Sequence, residues 1–330
     1  MTVNPPPSVP PLRCLVTGCA GFVGSTLVDR LLADGHQVRG YDNFSTGREA
    51  FLTQALTSAR FTLTRGDLLD TECLTEAMCD IDLVFHFAAN ADVRFGTDHP
   101  RRDLEQNTIA TFNVLEAMRQ NGVRRIVFSS TGSIYGESKT IPTPEDAPFP
   151  VQTSLYGASK LAAEGLIAAY CEGFGFQASI FRFVSLLGER YTHGHVVDFY
   201  AQLRAHPGYL DVLGNGHQRK SYLYIQDCMN AILLVVAQAR HDSKVSIYNL
   251  GTDQVCEVND SIGWLCAYLG LAPELRYSGG ERGWIGDNPL IWLDCSRIRA
   301  LGWRPQLTIA EGIGRTIAYL SANSWVVDRP

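Results

Sequence analysis

The sequence contains no apolar run long enough to cross a bilayer, no block of like charge, and no basic stretch leading into an apolar one near Met1. The first absence argues against a transmembrane helix, which takes about 20 consecutive apolar residues. The last argues against a secretory signal peptide. A net charge of −6 gives no electrostatic reason to expect nucleic acid or an anionic membrane surface as a partner. The 9 cysteines are odd in number and scattered, without the spacing of a metal site or a disulfide framework, so no metal is expected. Cys14, Cys19 and Cys171 fall in core-like segments, which reads as reduced thiols in a cytoplasm. There is no internal repeat, and the one biased tract is the proline-rich start, residues 1–11, expected to be a disordered tail.

What is present is an ordinary globular composition, 45% hydrophobic and 19% charged, in 330 residues. That length buries a full core and fits two lobes. The most informative stretch is Thr17-Gly18-Cys19-Ala20-Gly21-Phe22-Val23-Gly24, between the apolar run Cys14-Leu15-Val16 and the amphipathic segment Ser25 to Asp34. Strand, glycine turn and helix N-terminus in that order make a pyrophosphate cradle, whereas a glycine triplet alone also fits an ordinary turn. Gly18, Gly21, Phe22, Val23 and Gly24 are the candidate contacts. Asp42 ends a second strand-like run, about 20 residues on, where a carboxylate takes a ribose 2′-OH and repels a 2′-phosphate. The cofactor expected is therefore NAD.

Strand-like and helix-like segments alternate through the first half. Leu12–Thr17, His36–Tyr41, Phe61–Arg65, Leu83–His86, Arg125–Ser129 and Ala178–Phe183 are short and β-rich, with longer periodic stretches such as Leu104–Asn121 and Ser154–Phe174 between them. The pattern predicts an α/β protein: a Rossmann-type doubly wound parallel sheet with a smaller α/β substrate-binding lobe. The NAD-binding domain is expected over residues 12–184, receiving 226–253 and 290–295 as well. Residues 185–225 plus 254–330 would form the lobe.

Tyr156-Gly157-Ala158-Ser159-Lys160 places a phenol and an ammonium on one helix face, just after the hydroxyl cluster Ser129-Ser130-Thr131. A free tyrosine is a poor base at neutrality. One cation about 4 Å away, at an effective dielectric near 20, is worth roughly 4 kcal/mol, or about three pKa units before desolvation acts against it. Lys160 is one such cation and an oxidised nicotinamide would be another. Lys160 also suits a hydrogen bond to the nicotinamide ribose, and Thr131 a bridge between a reacting hydroxyl and the Tyr156 oxygen. The Thr131 hydroxyl could instead serve only its own backbone.

These motifs together resemble the extended short-chain dehydrogenase/reductase family, in particular its nucleotide-sugar epimerases and dehydratases. The resemblance runs through Thr17 to Gly24, Gly66-Asp67-Leu68, His86 to Asn90, Asn107-Thr108, Ser129 to Gly136, Tyr156 to Lys160, Gly214 to Asp227 and Arg282 to Asp287. It implies that Asp67 and Leu68 flank the adenine, that Phe87, Ala88 and Ala89 line the cofactor with Asn43 and Ser129 nearby, and that Asn107 braces the active-site helix. Family 4,6-dehydratases carry Asp-Glu after the active-site threonine, and the decarboxylases a glutamate two residues after it. Here Gly132 and Ser133 follow Thr131, and neither exchanges a proton near neutral pH. The resemblance is closest to UDP-glucose 4-epimerase-like members, and implies C4 epimerisation of a nucleotide-diphosphate sugar with tightly bound NAD. The alternatives are another family epimerase, a reductase or dehydratase, for instance on a heptose, or a non-catalytic NAD sensor.

By the same resemblance Lys220, with Arg219 beside it, stands where many relatives have a phosphate-binding arginine, and Arg282 is a second phosphate candidate. Asp287 would contact the nucleotide ribose or orient Arg282, and Trp284 fits a pocket wall or a buried anchor. Ser185 replaces an asparagine that contacts the substrate in many relatives. Asp92 and Arg94 fit sugar contacts or a surface pair. The resemblance also implies a homodimer formed by a four-helix bundle from Leu104–Asn121 and Ser154–Phe174.

Overall fold

The last four residues of the five-residue strand Arg13–Thr17 (β1) are buried, as a strand covered on both faces requires. Their side chains alternate between two cores: Leu15 faces one, Cys14 and Val16 the other. The computed structural model describes residues 11–149, 151–238, 243–284, 286–288 and 290–328, the side chains of Arg94 and Phe95 excepted. The expected proline-rich tail thus lies almost wholly outside the described residues, as does the Arg94 side chain.

From β1 the chain forms Phe22–Ala33 (α1), Gln37–Asp42 (β2), Phe61–Arg65 (β3), Thr71–Ala77 (α2) and Leu83–His86 (β4). Val93–Asp98 (α3), Pro100–Asp103 (α4), Ala110–Gln120 (α5), Arg125–Thr131 (β5), Leu155–Phe174 (α6) and Gln177–Phe183 (β6) follow. Next come Ser185–Leu187 (β7), His195–Ala205 (α7), Tyr209–Val212 (β8), Arg219–Lys220 (β9) and Tyr222–Tyr224 (β10). Ile225–Gln238 (α8) and Val245–Leu250 (β11) return to the main sheet. Cys256–Glu257 (β12), Val258–Leu269 (α9), Glu274–Tyr277 (β13), Leu290–Ile291 (β14), Ser296–Ala300 (α10) and Ile309–Ala322 (α11) complete the order.

The main sheet has seven strands in the order β11-β6-β5-β4-β1-β2-β3, and every pairing in it is parallel. Strand order reverses between β1 and β4, the switch point where a doubly wound sheet opens a crevice beyond its carboxyl ends. In β5, Ile126 and Phe128 enter one core and Val127 the other, so this strand, like β1, is covered on both sides. The remaining strands form small two- and three-stranded sheets, one of which sets β9 between β12 and β14.

The expected helix Leu104–Asn121 is divided. Residues Leu104–Ile109 form a π-helical stretch between α4 and α5, the kind of irregularity that often sits at functional sites. No helix among the described residues is long and apolar enough to cross a membrane. All 9 cysteines are free thiols.

Candidate active site

The glycine turn after β1 is built as the spacing predicts. Gly18 sits at φ +69°, and a Cβ there would stand 2.8 Å from the Ala88 backbone. At Gly24 a Cβ would meet the Gly18 carbonyl oxygen at 2.0 Å, so this glycine lets α1 close on the turn. Gly21 is the N-cap of α1 and no side chain caps the helix. The first N–H groups of α1 therefore keep their capacity for an anion, with Phe22 and Val23 opening the helix. Thr17 locks the next strand to this turn. Its Oγ1 pairs with His86 Nδ1 at 2.8 Å and accepts from the Phe87 and Ala88 N–H groups at 3.2 Å. His86 Nε2 pairs in turn with Thr111 Oγ1 at 3.0 Å. Burial, and after it the Lys160 charge, push the His86 imidazole down to about 3, so it is a neutral structural pin.

Asp42 is buried at the end of β2. Its Oδ2 accepts from Ala20 N–H and its Oδ1 from Phe44 N–H, both at 2.8 Å. Burial raises the carboxyl despite those two bonds. A carboxylate has about four acceptor positions, so two remain for a diol. Asn43 Nδ2 donates to Asp67 Oδ2 at 2.8 Å, bringing two of the predicted cofactor residues together. Leu68 is buried beside them, and its carbonyl accepts from Asn113 Nδ2. Phe87 is buried, with Ala88 and Ala89 half-buried after it. A glycine cradle, an uncapped helix N-terminus and a buried acid at the end of β2 fit a dinucleotide with a free ribose diol.

The reacting groups lie at the end of β5 and the start of α6. Ser154 caps α6 by accepting from Gly157 N–H at 3.0 Å, which places Tyr156 in the first turn and Lys160 in the second. The Thr131 hydroxyl lies beside the Tyr156 phenol, favouring its ionised form, and accepts from Ser133 N–H at 3.1 Å. Lys160 Nζ donates to the Ser129 carbonyl oxygen at 2.7 Å and lies 4.5 Å from the centre of the Phe128 ring. Asn107 braces the region from the π-helical stretch: its Oδ1 accepts from Asn90 N–H at 2.9 Å and its Nδ2 donates to Ser159 Oγ at 2.9 Å.

Desolvation, which opposes the pull of nearby cations, dominates at the phenol. Burial pushes Tyr156 up to about 12; the Thr131 hydroxyl opposes this and the Asp103 charge adds to it. Lys160 is itself lowered to about 7 by burial, with Glu164 one turn on opposing. Burying an ammonium costs desolvation energy, which lowers its pKa.

Around β9 and the 282–288 segment, two of the predicted phosphate ligands, Lys220 and Arg282, are paired. Lys220 Nζ donates to Asp287 Oδ1 at 2.5 Å and also to the Asn288 carbonyl, and Asp287 Oδ2 accepts from Gly283 N–H at 3.0 Å. Trp284 lies under the same ammonium, 5.7 Å from ring centre to Nζ. Arg282 donates to the Asp287 carbonyl at 2.9 Å and forms an ion pair with Glu137 at 2.6 Å. Arg219 and Ser185 are exposed. Lys220 thus holds the 287–288 turn, whereas Arg282 has a half-exposed partner in Glu137.

Several residues of the site escape a sequence reading. Glu164 joins Arg182 in a buried ion pair at 2.7 Å, and Arg182 also donates to Tyr135 Oη at 2.6 Å and to the Glu145 carbonyl. His195 Nδ1 pairs with Tyr222 Oη at 3.1 Å. The four-residue spacings Lys160 to Glu164 and Asp103 to Asn107 are the only signals that pointed to the first of these groups and to Asp103.

This arrangement has close counterparts among known proteins. The model for the NAD dependent epimerase/dehydratase family matches residues 14–251. A UDP-glucose 4-epimerase of Mycolicibacterium smegmatis is 32% identical over 320 residues, covering 95% of this chain and 100% of that protein. The crystal structure of a UDP-galactose 4-epimerase superposes with a TM-score of 0.86 at 38% identity, covering 95% of this chain and 100% of the other. The Thermus thermophilus UDP-glucose 4-epimerase complex with NAD superposes with a TM-score of 0.82 at 32% identity, covering 94% and 99%. With cradle, ribose acid and Tyr156–Lys160 pair set in a fold that those proteins share along nearly their whole length, the chain belongs to the NAD dependent epimerase/dehydratase family.

Proposed function

We propose that this protein is an NAD-dependent 4-epimerase of a nucleotide-diphosphate sugar of the UDP-glucose/UDP-galactose type. The observation that carries the choice within the family is the Thr131-Gly132-Ser133 turn. A Cβ at Gly132 would stand 3.0 Å from Ile291 Cγ2, 3.3 Å from the Phe183 carbonyl oxygen and 3.4 Å from Leu293 Cδ1. Even a methyl is tight at Gly132, and neither Gly132 nor Ser133 carries an acid, so the groups for eliminating water are missing from this turn. Asp42 disfavours a reductase that takes up a 2′-phosphorylated cofactor, and a mere sensor has no use for Tyr156 and Lys160 in register.

Bound in the cradle, NAD supplies a hydride acceptor and donor at the sugar's C4. Tyr156 removes the 4-OH proton, with Thr131 bridging the hydroxyl and the phenol. Lys160, anchored on the Ser129 carbonyl, holds the nicotinamide ribose and places positive charge behind the phenol. Arg282 exchanges Glu137 for the substrate's diphosphate, leaving the 4-keto sugar free to swing about that link and present its other face. Tyr156 then returns the proton. Since no net oxidation occurs, the cofactor stays tightly bound between turnovers.

A homodimer and a cytoplasmic location belong to the same reading. Leu104, Ile109 and Phe112 on one side and Leu155 and Phe174 on α6 are exposed apolar side chains, and a Cβ placed on Gly165 or Gly173 of α6 would meet nothing within 4 Å. An apolar surface of this kind suits packing α5 and α6 against their copies in a four-helix bundle. The free thiols suit a reducing compartment. The test is incubation of purified protein, without added NAD, with UDP-galactose and separately with UDP-glucose. Convergence to one mixture, abolished in Tyr156→Phe, is the expected result; full turnover by Tyr156→Phe would overturn the mechanism.

A further inference from the structure

One acidic side chain beside the reacting groups has no part in this scheme. Asp103 closes α4 just before the π-helical stretch and is 1% exposed. Its Oδ1 accepts from Asn90 Nδ2 at 2.8 Å and from Asn107 Nδ2 at 3.4 Å. Its Oδ2 is buried with no hydrogen-bond partner among the described residues. The backbone closes on it: a Cβ at Gly96 would stand 2.0 Å from that oxygen. A buried carboxylate with one oxygen unsatisfied costs stability, and such costs concentrate at functional sites.

Two links join Asp103 to Tyr156. The first is mechanical. Asn107, held by Asp103, donates to Ser159 Oγ at 2.9 Å, and Ser159 Oγ donates to the Tyr156 carbonyl at 2.9 Å. The turn that carries the phenol is therefore tied to Asp103 through two side chains. The second is charge, since the Asp103 carboxylate, buried against Gly96 of α3 and hydrogen-bonded to Asn90 and Asn107, bears on the phenol.

We propose that Asp103 is a positioning residue that fixes Asn90 and Asn107 around the first turn of α6 and sets a buried negative charge against ionisation of Tyr156. The groups facing the phenol are Thr131 from β5 and Asp103 from α4, with Lys160 one turn along α6. His86 and Glu164 act in turn with Lys160, and Asp92 with Asp103. Burial raises the Asp103 carboxyl, the Asn90 bond lowers it, and Asp92 raises it. The inference rests on Tyr156 as proton acceptor.

The test is a pH titration of NAD-loaded protein by tyrosinate absorbance, with the Tyr156→Phe spectrum subtracted to isolate one phenol. Asp103→Asn keeps the acceptor for Asn90 and removes the charge; Asp103→Ser is the second variant. Both should lower the Tyr156 midpoint by about one pH unit, and the acid limb of kcat should move the same way. A midpoint unchanged or raised in both variants would overturn the proposal, because a purely structural role predicts no downward shift. Full turnover by Tyr156→Phe would instead overturn the base assignment, which the titration does not depend on.

Discussion

Lys160 Nζ reaches the Ser129 carbonyl oxygen at 2.7 Å, so the active-site ammonium is tied to the end of β5 and is 2% exposed. This contact orients the lysine at a cost. Its pKa falls from 10.5 to about 7 through burial, whereas in the unfolded chain it stays near its ordinary value. Between those values the unfolded state binds more protons, so this group makes stability rise with pH across that window, and below it the burial penalty is felt in full. Lys160→Met should flatten that dependence and stabilise the ligand-free protein near pH 7 by on the order of a few kcal/mol, while abolishing turnover. Chemical denaturation of both proteins across the window measures it; a variant less stable than wild type throughout would contradict the account.

The glycine cradle makes a second prediction. Gly24→Ala places a methyl 2.0 Å from the Gly18 carbonyl oxygen, and both groups belong to backbone that cannot rotate away. The turn must open, at about 1–3 kcal/mol, and purified protein should lose most of its bound NAD. The NAD released by denaturing equal amounts of wild type and variant reads this directly. Undiminished NAD would mean that the cradle tolerates the shift.

Glu137 and Arg282 form a half-exposed ion pair that, in the proposed function, the substrate's diphosphate exchanges. Glu137→Gln should lower KM by about two- to fivefold at low salt, as befits a screened surface pair, with kcat little changed. Arg282→Ala should raise KM. If Glu137→Gln raised KM as well, Glu137 would be a substrate contact and not a competitor for Arg282.

Local rules carry much of the fold and the cofactor site into the sequence. The glycine spacing, the acid ending β2 and the alternating apolar runs each follow from the backbone geometry of a buried parallel strand joined to a helix. Tyr156 and Lys160 are legible because four residues on a helix are spatial neighbours. The partners of charged groups are not legible in this way. Arg282 meets Glu137 and Lys220 meets Asp287 only through the tertiary fold, so neither pairing can be read from the sequence. The π-helical stretch Leu104–Ile109 reads as plain helix because its apolar spacing carries no mark of the extra residue. Desolvation is hidden for the same reason: the cost of burying Tyr156 and Lys160 depends on every element that covers them.

The most direct measurement follows deuterium at C4. UDP-galactose deuterated at that carbon is incubated with purified protein and no added cofactor, and the product is analysed by mass spectrometry and NMR. The account predicts UDP-glucose that keeps its deuterium at C4, because the same site removes and restores it. Deuterium lost to solvent, deuterium found at C6, or a 4-keto-6-deoxy product would contradict it.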